Sequence, residues 1–417
     1  MTALVKQMQK PAGRALISAA YSEDKLVGAR LALDGIEPSE MSYTTAVERR
    51  AAQHVPAVPQ WVSGLRPSAL SVTKLCHLDA GADMAAVHTA RHDPRPRPAR
   101  IWPTHHAPRL GFNSRALHLL SSETNLQMAS EAEVALVSVI RNEEHMLPHF
   151  LAHYRARGVT GFLIADNESD DGTVPYLLDQ PDVALFSADT EFREVDQGTD
   201  WKIALLAHYR PDKWAVIADA DELLLYPSHD TRSLPNWLTE HAANADAVEV
   251  RMLDLYPEGP LEQAQINATT NLFALAPYTD AQPFLAESLS PGPYDNATTW
   301  TSAVRHRLMP GARPELFVAQ KVPVLRYKPW MQLSTSLHYA SDVRLARDTL
   351  FFAHFKYHAD FAAKAHREIA RGQYYNNAEE YHRYVALTAS GQDQIYDPAV
   401  SVQWQDCDEV RALLGRT

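Results

Sequence analysis

The chain has 417 residues, a hydrophobic share of 46% and a formal net charge of −12. At about 100–200 residues per domain this length allows two or three domains. The acidic balance argues against nucleic acid as the main partner, because a phosphate backbone demands clustered Lys and Arg. The charge is uneven: residues 1–130 carry about 15 Lys/Arg against about 10 Asp/Glu, which leaves roughly −17 (−12 minus +5) on the remainder. An acidic body can still hold a nucleotide through a metal ion, since the ion supplies positive charge. The two cysteines, Cys76 and Cys407, have no motif spacing, which points to a reducing compartment. No apolar run reaches the roughly 18–20 residues of a membrane span. The mild stretch Ala15–Ala20 is shorter than the apolar part of a signal sequence, about 7–15 residues. A cytoplasmic location is expected, with peripheral membrane association left open.

In chain order, residues 1–93 have weak periodicity and no legible role. His92–Leu110 contains five prolines, a density that stiffens the chain and blocks helices. Residues 94–130 are therefore expected as a Pro-rich linker, with an ordered loop crossing the main domain as the alternative. From Glu133 the text changes. "EVALVSVI" is the continuous apolar run of a strand buried on both faces. In the helix that follows, Leu147, Phe150, Leu151 and Tyr154 share one face. "GFLIAD" reads as a second strand, "GTVPYLLDQ" as a short helix and "DVALFSA" as a third strand. "GTDWKIALLAHYR" is helical, "WAVIADAD" is a fourth strand and Asp246–Leu253 a fifth. Residues 258–320 read as irregular. "KVPVLRY" restores the pattern, followed by the helix "ADFAAKAHREIARG". Alternating strands and helices predict an α/β fold with an open, mainly parallel sheet and helices on both faces. The folded body is expected over 131–390, preceded by an N-terminal extension and followed by a tail, 391–417.

Three polar clusters fall at strand carboxyl ends: Arg141–Glu144, Asp166–Thr173 and Asp219–Glu222. In open α/β sheets ligands bind beyond those ends. Buried carboxylates without a partner are costly, so something cationic must meet the acids of "DADE". Residues i and i+2 of an extended segment point the same way, so Asp219 and Asp221 are expected to share one target while Glu222 points elsewhere. Paired oxygen ligands favour Mg²⁺ or Mn²⁺, which bind one or two carboxylates plus substrate phosphates. A solvated loop is the plainer alternative. "DNESDDGT" is not an EF-hand, because Asp171 and Leu177 stand where glycine and glutamate are needed. Within it Asn167, Ser169 and Gly172 suit a tight turn, and Ser169, Asp170 or Asp171 suits a helix cap. Asp166 closes an apolar strand without an evident partner and fits a base or ribose contact. Asn142 and Glu143 fit either a ligand or a cap. Lys202 fits a phosphate contact or a solvated helix position. His338 and His354 stand among apolar neighbours, as core histidines or as metal ligands.

Residues from about Val134 to Tyr384 resemble bacterial family-2-type glycosyltransferases with the GT-A fold. The resemblance lies in the Val137–Thr173 stretch, in "WAVIADADELL", "MLDLYPEGP", "KVPVLRY" and "LFFAHFKY". It implies a nucleotide-diphosphate sugar donor, Mn²⁺ or Mg²⁺, and a glycan or glycolipid acceptor in surface-glycan or lipopolysaccharide synthesis. Asn142, Glu143, Asp166, Asn167, Lys202 and Asp219 would bind the nucleotide sugar. Asp219, Asp221 and His338 or His354 would hold the metal. The subgroup has paired glycines before an Arg-x-Arg; here Ser302 and Ala303 precede Arg305 and Arg307. The expected chemistry is an inverting sugar transfer in which a base deprotonates the acceptor hydroxyl. Asp254 is the first candidate base, followed by Glu222, Glu258 and Asp280. The rivals are a non-catalytic sugar- or nucleotide-binding protein of the same fold and a nucleotidyltransferase. The latter normally carries an early Gly-rich phosphate loop, which Val137–Glu144 lacks.

Overall fold

The computed structural model describes residues 100–101, 117–188, 191–287, 299–328, 331–341, 343–389, 391 and 393–415. The N-terminal extension, 1–93, lies outside them. A ten-stranded sheet dominates. Its strands are β1 (Arg100–Ile101), β2 (Leu117–Leu119), β3 (Ala135–Ile140), β4 (Gly161–Asp166), β5 (Val183–Ala188), β6 (Trp214–Ile217), β7 (Glu222–Leu225), β8 (Ala247–Asp254), β9 (Gln320–Arg326) and β10 (Leu350–His354). The spatial order is β1-β2-β5-β4-β3-β6-β9-β8-β10-β7. β5, β4, β3 and β6 are mutually parallel, as are β8 and β10, while β9 runs antiparallel between β6 and β8. β2 and β7 are antiparallel to their neighbours. The sheet is thus the expected open, mainly parallel one, with reversed strands at three places.

Side-chain alternation along β3 and β4 explains why helices cover both faces. Leu136, Ile140, Phe162 and Ile164 pack on one side with Leu147, Phe150, Leu151 and Tyr154 of α2 (Leu147–Ala156). Val137, Leu163 and Ala165 pack on the other with α1 (Glu123–Glu131) and α4 (Thr199–Tyr209). The short helix α3 (Thr173–Leu178) links β4 to β5, and α5 (Leu234–His241) buries Trp237 on the α2 side.

The folded body begins before residue 131. The segment read as a linker supplies β1 and β2 to the sheet edge and α1 to one face. The segment read as a tail is built in as well: Ser401–Gln403 pairs with Tyr278–Asp280, and Trp404, Cys407, Val410 and Leu414 join the main core. The described parts of 258–320, residues 258–287 and 299–320, carry more regular structure than their composition foretells. Phe284–Glu287 pairs with Thr299–Ser302, which leads into α6 (Ala303–Leu308) and a 3₁₀ turn, Pro314–Phe317. Near the C-terminus, α7 (Phe361–Arg371) ends at Gly372, whose left-handed φ of 62° turns the chain towards α8 (Tyr375–Ala389).

Arg210, at the end of α4, is fully buried and donates to the carbonyls of Ala129, Ser130, Ala132, Glu133 and Trp214. Burial lowers its pKa to about 10, yet it remains charged at neutral pH. One side chain thereby ties α1, the entry to β3 and the start of β6. Replacing it with Met strands those carbonyls in the interior. Arg210→Met is expected to lower unfolding free energy by about 3 kcal/mol or more, measurable by urea denaturation.

Candidate active site

β3 and β6 lie side by side, with β4 and β5 beyond β3. This is the first-against-fourth arrangement at which open α/β sheets leave a ligand crevice. A cavity of about 560 Å³ opens there, within the usual range for a small-molecule site, about 300–1,000 Å³. One half is lined by Arg141, Asn167, Phe192 and Lys202, from the β3, β4 and β5 side. The other is lined by Met252, Arg305, Glu315, Lys321 and His354, from the β8–β10 side. α7, α8 and the link between them wall it with Lys364, Glu368, Arg371, Tyr374, Glu380 and Tyr381.

The acids of "DADE" sit between the two halves. They do not continue β6 as an extended segment: the Glu222 amide donates to the Asp219 carbonyl at 3.0 Å, closing a turn. The i, i+2 argument therefore fails, and Asp219 and Asp221 have different targets. Asp219 accepts from Lys202 at 2.9 Å and from Lys321 at 3.1 Å. Lys321 also donates to Glu222 at 2.5 Å, and the second Glu222 oxygen accepts from the Asp219 amide. Low-dielectric surroundings oppose the charge on Asp219, but the two lysines hold its carboxyl below the ordinary range. Burial raises the pKa of Glu222.

Asp221 faces His354 instead, with Nε2 at 3.7 Å from Oδ2. The other ring nitrogen, Nδ1, lies 2.6 Å from Asp254 Oδ1. Burial alone would lower the His354 pKa, but Asp221 and Asp254 reverse this and raise it. Asp254 is 2% exposed. It accepts from Arg305 Nε at 2.9 Å, Arg305 Nη2 at 3.1 Å and Ser302 Oγ at 2.5 Å. Burial opposes its charge, yet Arg305 and His354 hold its carboxyl far below the carboxylate range. The same Ser302 hydroxyl accepts the Arg305 amide and so caps α6.

This geometry corrects several expectations. Asp254 has no capacity left to take a proton from a substrate, since a base needs access and a pKa nearer the working range. Asp280 is saturated by Tyr256 and a bidentate Arg307. Neither Asp280 nor Glu258 lines the cavity, and Glu222 is committed to Lys321. His338 lines the cavity, but its Nδ1 is bonded to the Gln320 carbonyl; burial and Lys321 push its pKa down to about 4. Beside an ammonium group it is a poorer cation ligand than His354. The Asp166 Oδ2 accepts its own turn's Ser169 amide, while Oδ1 is buried with no partner among the described residues; the residue does not line the cavity. Asn142 and Asp170 exchange hydrogen bonds and tie two loops together. Glu143 and Asn167 do line the cavity. Glu143 pairs with Lys364 at 2.6 Å, and burial raises its pKa to about 7. Asn167 donates to the Ala188 carbonyl and accepts from Arg371.

The pieces missed in the sequence come from far along the chain. Lys321 was hidden inside an apolar strand, and Lys364 and Arg371 share one face of α7. Phe192 is brought in by a loop that turns into α4 at Gly198, whose φ is 76° and whose missing Cβ would meet the Phe192 ring at 2.8 Å.

No protein-family model matches the chain, and no curated protein does. Among solved structures, it is similar to a 4-diphosphocytidyl-2C-methyl-D-erythritol synthase at 16% identity, over 33% of this chain and 67% of that one, with a TM-score of 0.22. A mycobacterial protein matches at 17% identity, over 39% of this chain and 52% of that one, with a TM-score of 0.22. A protein described as a glucose-1-phosphate thymidylyltransferase from Bacillus anthracis, solved with sucrose, matches at 9% identity, over 68% and 95%, with a TM-score of 0.25. Among the described residues no helix is long and apolar enough to cross a membrane.

Lys321 is 5% exposed and neutralises two carboxylates. Lys321→Met should cost about 3–5 kcal/mol of stability, because a buried carboxylate then stands unpaired. Adding Glu222→Gln should recover more than half of that loss in urea denaturation.

Proposed function

We propose that the chain transfers a sugar from a nucleotide-diphosphate donor to an acceptor hydroxyl, with a divalent ion held at Asp221 and His354. One observation carries the metal part. His354 turns Nε2 towards the Asp221 carboxylate while Nδ1 is fixed by Asp254. A ligating imidazole is ordinarily held this way, with its second nitrogen donating to a carboxylate. Asp254, Arg305 and Ser302 are then a brace that sets the ring's orientation.

The donor set fits the group. One carboxylate oxygen and one imidazole nitrogen suit Mn²⁺ better than Mg²⁺, which prefers oxygen throughout. Among the described residues no group of three or more His, Cys, Asp or Glu side chains is placed to hold a metal alone. Such an ion would take its remaining ligands from substrate phosphates, as metals at phosphate-transfer sites usually do. When bound, it would offset negative charge growing on the departing diphosphate.

The protein's own side chains complete the donor's environment. Lys202 and Lys321 stand beside the metal pair on the Asp219 side, and Arg141, Lys364 and Arg371 add positive charge towards the nucleotide half. Fixed charges in a closed site stabilise a leaving diphosphate without reorganising. Phe192 and Tyr374 lie 5.4 Å apart between ring centres and offer the nucleoside an aromatic surface. Asn167 supplies a polar edge in the same half. The role expected for Asp219 shifts accordingly, from metal ligand to the group that positions the two lysines. The acceptor, by the sequence resemblance, is a glycan or glycolipid of a surface polysaccharide or lipopolysaccharide.

UDP-, GDP- and dTDP-sugars with Mn²⁺ provide the test. Release of nucleoside diphosphate is expected with at least one donor and should vanish in EDTA. Asp221→Asn should lower it about 100-fold or more with the fold intact by circular dichroism. Full activity in chelator removes the metal from the proposal. Release of pyrophosphate from a nucleoside triphosphate and a sugar phosphate would instead support the nucleotidyltransferase alternative. Asp254→Asn should weaken Mn²⁺ binding about 10–100-fold, read by calorimetry in the presence of UDP.

A further inference from the structure

We infer that Glu315 is the general base that takes the acceptor's proton, and that the acceptor therefore enters over the Pro314–Phe317 turn. The inference rests on the transfer reaction proposed above, which needs a carboxylate facing the acceptor, and Asp254 is unable to serve. The cavity-lining acids can be compared one by one. Glu143 is paired with Lys364, Asp219 with Lys202 and Lys321, and Glu222 with Lys321. Glu380 holds Lys356 at 2.9 Å and accepts from Tyr384, and Glu368 lies 3.7 Å from Arg371. Asp221 faces His354. Glu315 also lines the cavity but has no hydrogen-bond or ion-pair partner among the described residues. It is exposed, so it stands at the rim between solvent and the interior.

Position and rigidity agree with the role. Glu315 belongs to the half of the cavity built by β8, β9 and β10, opposite the half that holds Arg141, Asn167 and Phe192. With the nucleoside in the latter, the sugar's reacting carbon projects past the Asp219–Glu222 turn towards the former. The turn carrying Glu315 is firmly anchored. Leu316 and Phe317 are buried beneath it, and the Phe317 ring packs on His306 at 4.8 Å. Val318 bridges to Thr301, and Arg313 clamps Glu379 of α8 at 2.7 Å. A base on such a support keeps its aim while remaining open to water, to which it can pass the proton.

The step balances as a single displacement. The acceptor oxygen forms a bond to the anomeric carbon and gives its proton to the Glu315 carboxylate. The bond from that carbon to the diphosphate oxygen breaks, and its electron pair leaves with the nucleoside diphosphate.

The test uses full-length protein, UDP-glucose, GDP-glucose and dTDP-glucose with Mn²⁺, and azide as a nucleophile that has no proton to lose. Glu315→Ala should bind the nucleoside diphosphate within about two-fold of wild type by calorimetry. It should release it from the donor about 10²–10⁴-fold more slowly. Sodium azide should restore release at least ten-fold in the variant, with glucosyl azide detected by mass spectrometry, and change wild type less than two-fold. Glu315→Ala activity within three-fold of wild type overturns the assignment. So does a slow variant that binds nucleotide normally but ignores azide. Wild-type protein that binds and turns over none of the three donors defeats the underlying transfer reaction, and the assignment falls with it.

Discussion

A carboxylate at the tip of a buried strand must find a positive charge nearby, and the organisation of this site follows from how that demand is met. Four acids converge at one place: Asp219, Asp221, Glu222 and Asp254. They are served by two lysines, one arginine and one histidine, each from a different segment. Left unpaired, any of them would cost several kcal/mol or become neutral. The pairing is not symmetric. Lys202 and Lys321 take Asp219 and Glu222, and Arg305 takes Asp254, whereas Asp221 faces the edge of the His354 imidazole, which with the more distant Lys364 and Lys356 holds its carboxyl below the ordinary range. Asp221 thus lines the cavity with an imidazole, rather than an ammonium or guanidinium group, as its nearest positive partner among the described residues.

The sheet's topology makes the convergence possible. β7 lies at the far edge from β5, so the short connection from β6 to β7 passes over the strand tips between them. That path carries Asp219 and Asp221 across the sheet. β9 enters the sheet in the opposite direction to β6 and β8, which puts its first residues, including Lys321, at the carboxyl ends of the neighbouring strands. A parallel strand in that place would have put the same lysine at the opposite edge. The reversal of β9 is thus what lets an apolar segment deliver an ammonium group to the acids.

Much of this was legible in the sequence, for identifiable reasons. Apolar runs such as Ala135–Ile140 and Gly161–Asp166 are buried on both faces, so composition alone marks them as parallel strands. Polar residues at their ends mark the crevice. Three things were illegible. The turn at Asp219–Glu222 depends on a backbone hydrogen bond that composition does not reveal. The strands at 278–280 and 401–403 are short and pair across more than a hundred residues, so neither has a local signal. Lys321 and Arg305 look like ordinary surface cations until their partners are known. Asp254 was misjudged because its place at a strand end is the same for a base and for a brace; only the bidentate Arg305 decides between them.

Ser302 shows how one hydroxyl organises the site. Here the Ser302 hydroxyl bonds Asp254 on one side and the Arg305 amide on the other. One hydroxyl therefore fixes both the acid that braces His354 and the first turn of the helix that supplies the acid's counter-ion. A serine at this point couples the orientation of the His354 ring to the position of α6, and through Arg305 and Glu380 to α8. The cavity wall at α6 and the brace behind the histidine are then parts of one hydrogen-bonded unit. A change in packing at α6 is thereby transmitted to Asp221 and His354 through charges that are buried and cannot relax into water.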